Sequence, residues 1–159
     1  MGWWGFGALS GDSPLDCLGF IADELKVEFD IESRDINNFG GYPFTKEMLE
    51  ENLVKIQDYI KTKGSREVHY YHVLGALCLY YGVTKIPRDL KAQILIEITE
   101  DEWAKDDPDR RKYMDLFYKA FKNHKKGQRL KMVYEGEDNP KNGSYESIFH
   151  NSMKIMKGD

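Results

Sequence analysis

The chain has 159 residues, 41% hydrophobic, 13% aromatic and 31% charged, a balance that suits one packed domain and excludes a disordered or low-complexity protein. Apolar runs stay well short of the roughly 20 residues a membrane span needs, and no basic segment leads into an apolar one at the N-terminus, so neither a span nor a secretory signal is expected. Net charge is −4 but unevenly spread: residues 1–60 hold twelve Asp/Glu against four Lys/Arg, and residues 110–131 hold nine Lys/Arg against one acid, Asp115, which predicts a dipolar surface.

The opening "MGWWGFGALSGDSPLDCLGF" admits three readings. Gly5, Gly7 and Gly11 are spaced one residue wider than a dinucleotide-binding fingerprint, no strand precedes them, and no Lys-Ser/Thr pair follows Gly11, so a phosphate cradle is disfavoured. Asp12 and Asp16 would also repel an anion from the helix start. Phe6 stands where a myristoylation signal needs Ser or Thr. The remaining reading is a structural clamp, with Trp3, Trp4, Phe6 and Leu9 turned inward and the glycines letting backbone lie flat on a neighbouring helix.

Met1, Gly2, Trp4, Gly5, Asp12, Leu15 and Asp16 follow M-G-x-W-G-x-x-x-x-x-x-D-x-x-L-D. This resembles the opening of a family of small bacterial and phage proteins of unknown function, DUF4259. The resemblance covers roughly the first twenty residues, and Ser10-Gly11 departs from the acidic or Asn-rich turns of the family. It implies no established activity; its phage-like character points to an inhibitor or modulator of a host protein.

Ser13-Pro14-Leu15-Asp16 predicts the start of a first helix, with serine at N-cap, proline at N1 and an acid at N3. Leu15, Leu18, Ile21, Ala22 and Leu25 then recur at helical spacing. Residues 37–44 read as a loop. Thr45 caps a second helix to about Lys63, with Phe44 and Leu49 as a hydrophobic staple, and Leu49, Leu53, Ile56 and Ile60 as its inner stripe. Residues 65–82 are apolar on nearly every side, which predicts a central buried helix stopped at Gly82. A fourth helix is expected over 86–106, carrying Ile86, Leu90, Ile94 and Ile98. Asp107-Pro108 opens a fifth that reaches about Lys126. Beyond Gly127, "RLKMVYEG" suits a short strand or a continued helix, and Ser144 is expected to cap a last helix through Met156. The expected fold class is all-α: one domain over residues 1–159, five to six helices, with a short β-hairpin near the C-terminus as an option.

Four sets of residues carry candidate chemistry. His69 and His72 are three apart on one helix face, a metal-compatible spacing. A site would need a third ligand from His124, His150 or an acid, since Glu67 projects away from His69; the alternative is a hydrogen-bonded pair within the bundle. Asp12, Asp16, Asp23 and Glu24 group carboxylates at the first helix, suited to acid/base work or Mg²⁺ but equally to capping and a solvated face. Cys17 and Cys78 lie in apolar patterns and read as core thiols in a reducing cytoplasm. In the fifth helix, Arg111, Lys112, Lys119, Lys122, Lys125 and Lys126 face away from Tyr113, Met114, Leu116, Phe117, Ala120 and Phe121, forming either a solvated face or an anion-facing stripe. Trp103 reads as a core plug. The leading expectation is a non-enzymatic protein-binding or modulator protein, without cofactor or membrane partner. The rivals are a metal-dependent hydrolase or nuclease using His69 and His72, and nucleic-acid association through helix 108–126.

Overall fold

A helix that is apolar on every side has to be surrounded, and the third helix here is. The computed structural model describes residues 12–27, 44–63, 68–125, 128–134 and 151–157. Its elements are α1 (Asp12–Glu24), α2 (Lys46–Lys63), α3 (Val68–Tyr81), α4 (Arg88–Thr99), α5 (Glu102–Asp106), α6 (Pro108–Lys122), β1 (Gln128–Tyr134) and β2 (Asn151–Lys157). α3 packs against α1, α2, α4, α6 and β1, while α4 and α5 pack on α6. Val73, Leu74, Ala76, Leu77, Cys78 and Leu79 of α3 are all buried, so the core forms on several sides of one helix rather than along a seam. The fold is all-α, as the periodicity predicts. Among the described residues, no helix is long and apolar enough to cross a membrane.

Helix ends follow local chemistry. Thr45 caps α2, its Oγ1 accepting from the Met48 N–H at 3.1 Å, and the expected staple residues Phe44 and Leu49 are both buried. Gly82 ends α3 at φ 69°. There the N–H of Val83 reaches back to the Cys78 carbonyl at 2.8 Å and that of Gly82 to Leu79, a Schellman closure that needs a left-handed residue. α1 ends the same way on Lys26 at φ 57°, with Val27 N–H donating to the Ala22 carbonyl.

Five expectations need correction. α1 starts at Asp12, so Ser13 lies in the first turn instead of at the N-cap; Pro14 is tolerated there because first-turn N–H groups have no helical acceptor. The fourth helix is not continuous over 86–106. It starts after Pro87 and breaks at Glu100 because Asp101 caps a new helix, α5, its carboxylate accepting from Ala104 N–H. α6 stops at Lys122, not Lys126, where the N–H of Asn123 closes on the Lys119 carbonyl and that of His124 on the Phe121 carbonyl. Residues 151–157 form a strand, not the end of a helix, because they pair antiparallel with β1, Leu130 opposite Ile155 and Met132 opposite Met153. Leu116 is 40% exposed rather than inward, because it lies one residue, about 100°, around the helix from buried Phe117. The proposed clamp residues Trp3, Trp4, Phe6 and Leu9 lie outside the described residues.

Two glycines inside helices should respond oppositely to alanine. A Cβ on Gly19 meets nothing within 4 Å, whereas one on Gly75 comes within 2.9 Å of Ile94 Cγ2 and 3.2 Å of Phe117 Cζ. Removing a glycine from a helix interior stabilises by about 1 kcal/mol, and overpacking a core costs about 1–3 kcal/mol. Gly19→Ala is therefore expected to raise the urea midpoint and Gly75→Ala to lower it. Equal gains at both positions would show that α3, α4 and α6 part without cost.

Candidate functional site

The outward face of α6 is built by its inner one. Asp107 starts the helix by accepting from the N–H groups of Asp109 and Arg110 at 2.9 and 3.1 Å, and Pro108 follows at N1. The register so fixed buries Tyr113, Met114, Phe117, Ala120 and Phe121. It leaves Arg111, Lys112, Lys119 and Lys122 exposed, with Lys125 just beyond the helix also exposed; Lys126 lies outside the described residues. Arg111 is paired with Asp115 at 3.3 Å, both side chains about half exposed, which in that setting contributes little. Lys122 Nζ lies 5.8 Å from the Tyr118 ring centroid. Exposed Leu116 lies one turn from both Lys112 and Lys119, an apolar side chain framed by cations.

A second site is one that the sequence reading missed. Arg110, counted among the basic residues of the segment, is fully buried. Its Nε and one terminal nitrogen donate to the two carboxylate oxygens of Asp101 at 2.9 and 3.1 Å, and the guanidinium carbon stands 4.6 Å from the centroid of Trp103. Trp103 Nε1 donates in turn to Asp107 Oδ2 at 3.0 Å. Trp103 is thus half-buried over an ion pair, not a core plug. The signal was present: Arg110 sits three, four and seven residues before Tyr113, Met114 and Phe117, on the same inner stripe. Burial pushes the Asp101 carboxyl up, but hydrogen bonding and charge from Arg110 outweigh it and hold the group below the usual carboxylate range.

His69 and His72 meet this cluster. Their ring centroids are 6.1 Å apart. Both line a cavity of about 490 Å³ together with Trp103, Arg110 and Asp101. His72 is buried, and its Nε2–H donates to the Glu97 backbone carbonyl at 2.9 Å. Burial pulls its pKa down to about 4, against the opposing effect of that hydrogen bond, so the ring is neutral at pH 7 with its proton on Nε2. The carboxylates beside the histidines are Glu97 on α4, Glu100 and Asp101 in the link between α4 and α5, and Glu102 at the start of α5. Those of α1 are elsewhere, with Asp16 and Asp23 exposed and Glu24 half-buried. Among the described residues, no three His, Cys, Asp or Glu side chains are grouped to hold a metal ion.

His124 is placed apart, its Nε2–H donating to the Val83 carbonyl at 2.8 Å. Glu67 and His150 lie outside the described residues. Cys17 and Cys78 are buried free thiols, and burial drives the Cys78 pKa up to about 12, which leaves it inert as a nucleophile. No family model, curated protein or solved structure matches the chain.

Proposed function

We propose that the protein is a small cytoplasmic modulator that binds an acidic surface of another protein through the outward face of α6. The observation that carries this reading is exposed Leu116 set between Lys112 and Lys119, with Lys122 one turn further on. Docking surfaces combine an apolar contact with a charged rim that steers the partner. Exposed Lys112, Lys119, Lys122 and Lys125 give that rim its sign, even though the chain as a whole is acidic. Two buried thiols suit a reducing compartment.

The test compares wild type with a Lys112→Glu, Lys119→Glu, Lys122→Glu variant in lysate of the source organism, with and without nuclease treatment, by crosslinking and mass spectrometry. All three side chains are exposed, so circular dichroism should report an unchanged fold. Wild type is expected to retain a discrete acidic protein crosslinked to α6, less of it as salt rises, and the variant to lose it. Equal retention by the variant, retention abolished by nuclease, or no specific retention would each overturn the reading.

A further inference from the structure

The outward stripe of α6 has a counterpart on the same chain. Along α2, Glu47, Glu51, Val54, Asp58 and Lys61 are all exposed and recur at intervals of four and three, which sets them on one side of the helix. Along α6, the exposed residues Asp109, Lys112, Leu116 and Lys119 recur at intervals of three and four. Val54 is 58% exposed and Leu116 40%. A lone exposed apolar side chain is ordinary on a protein surface; what singles out these two is the pattern of charge around them.

Laid antiparallel with Val54 opposite Leu116, the stripes match in sign. Lys61 falls opposite Asp109, Asp58 opposite Lys112 and Glu51 opposite Lys119, so the charge reverses on both helices at the same place, while Glu47 meets the neutral Asn123. The matched length, from Glu51 to Lys61 and from Asp109 to Lys119, is about 15 Å. Flanking it, Lys55 falls opposite Asp115, although each has a partner in its own chain, the Glu24 carbonyl and Arg111. A parallel alignment instead sets Glu47 against Asp109 and Lys119 against the buried Gln57. The stripes do not cover one another within one copy, since their side chains are exposed there; α2 and α6 each rest on α3. A generic acidic surface answers Lys112 and Lys119 but not Asp109; α2 answers all three.

Taking α6 as a docking face, as above, we propose that one occupant of it is a second copy of this chain: the protein associates with itself head to tail, α6 of one copy lying antiparallel on α2 of the next with Leu116 against Val54. The contact is heterologous, because two different surfaces meet. It is weak, because a single helix pair of this length falls short of the roughly 800 Å² per partner of a stable interface and its ion pairs are solvated.

Sedimentation equilibrium of the full chain is compared with that of two variants, Lys112→Glu, Lys119→Glu on α6 and Glu51→Lys, Asp58→Lys on α2. Wild type should associate reversibly as its concentration rises towards about 1 mM and return to monomer as salt is added. Each variant alone should associate about ten-fold more weakly or less still, since like charges then face each other, with circular dichroism unchanged because all four side chains are exposed. An equimolar mixture of the two should associate again: α2 of the first still fits α6 of the second, and the two reversed faces fit each other. Monomeric wild type at every concentration, association unaffected by either variant, or a mixture that stays monomeric would each overturn the proposal. Wild type that stays monomeric yet retains a different acidic protein from lysate overturns this inference and leaves the modulator reading standing; self-association with no such protein retained supports the inference and overturns that reading.

Discussion

Arg110→Ala should destabilise the fold by about 3–5 kcal/mol, the cost of leaving one partner of a buried ion pair without the other. Arg110 and Asp101 side chains are 1% and 7% exposed, so water cannot replace the lost charge, and the truncation also withdraws the cation from the Trp103 ring. For a chain of this length each kcal/mol corresponds to about 2–4 °C in Tm, so calorimetry should show a drop of about 6–20 °C. Removing both charges should cost much less, because desolvation of the pair largely offsets its attraction. Asp101 also caps α5 through Ala104 N–H, so the informative double variant is Arg110→Met with Asp101→Ser, which retains a capping oxygen. Recovery of most of the lost stability is expected. A single-variant loss below about 1 kcal/mol would mean that the pair behaves as a solvated surface bridge.

The second large effect is with pH. His72 titrates at about 4 in the folded protein and near 6.5 when unfolded. Between those values the unfolded chain binds the extra proton and the folded one does not. Unfolding free energy therefore falls as pH drops from about 6.5 towards 4, by roughly 3 kcal/mol across the window. His124, also lowered by burial, adds in the same direction, so the comparison with His72→Gln isolates the His72 share. Asp101, held low by Arg110, loses its contribution only further down, as pH falls through its depressed folded pKa. Urea unfolding at several pH values should give a distinctly flatter profile for His72→Gln over this window. Parallel profiles for the two proteins would show that His72 accepts its proton inside the folded structure.

What could be read in the sequence was local. Thr45, Gly82 and Asp107-Pro108 mark helix ends because a cap acts within three or four residues, and α3 announces its central place by being apolar all round. The break at Asp101 was illegible because Ile86, Leu90, Ile94 and Ile98 keep helical time up to it. The interruption comes from a carboxylate whose strongest partner, Arg110, lies nine residues on, across a second helix start. Leu116 and Arg110 fail in complementary ways: hydrophobicity suggested burial for one and charge suggested exposure for the other, while helical phase places each on the opposite side. Residues 151–157 misled because Met153 and Met156 are also three apart, and only the register with β1 decides between the two periods. The basic face of α6 was legible, since it is the complement of an amphipathic stripe; the cavity was not, because its lining comes from four helices.

The placement of α3 has a bearing on how the molecule comes apart. Four other helices rest on it, so opening α3 removes the floor beneath all of them, whereas α5, in contact chiefly with α6, can fray alone. The amides of α3 are therefore expected to exchange with solvent only on global unfolding, and those of α5 to exchange through smaller openings. Because α5 carries Trp103 and one edge of the cavity, an opening of α5 would widen that cavity while leaving the packing of α6 on α3 and α4 in place.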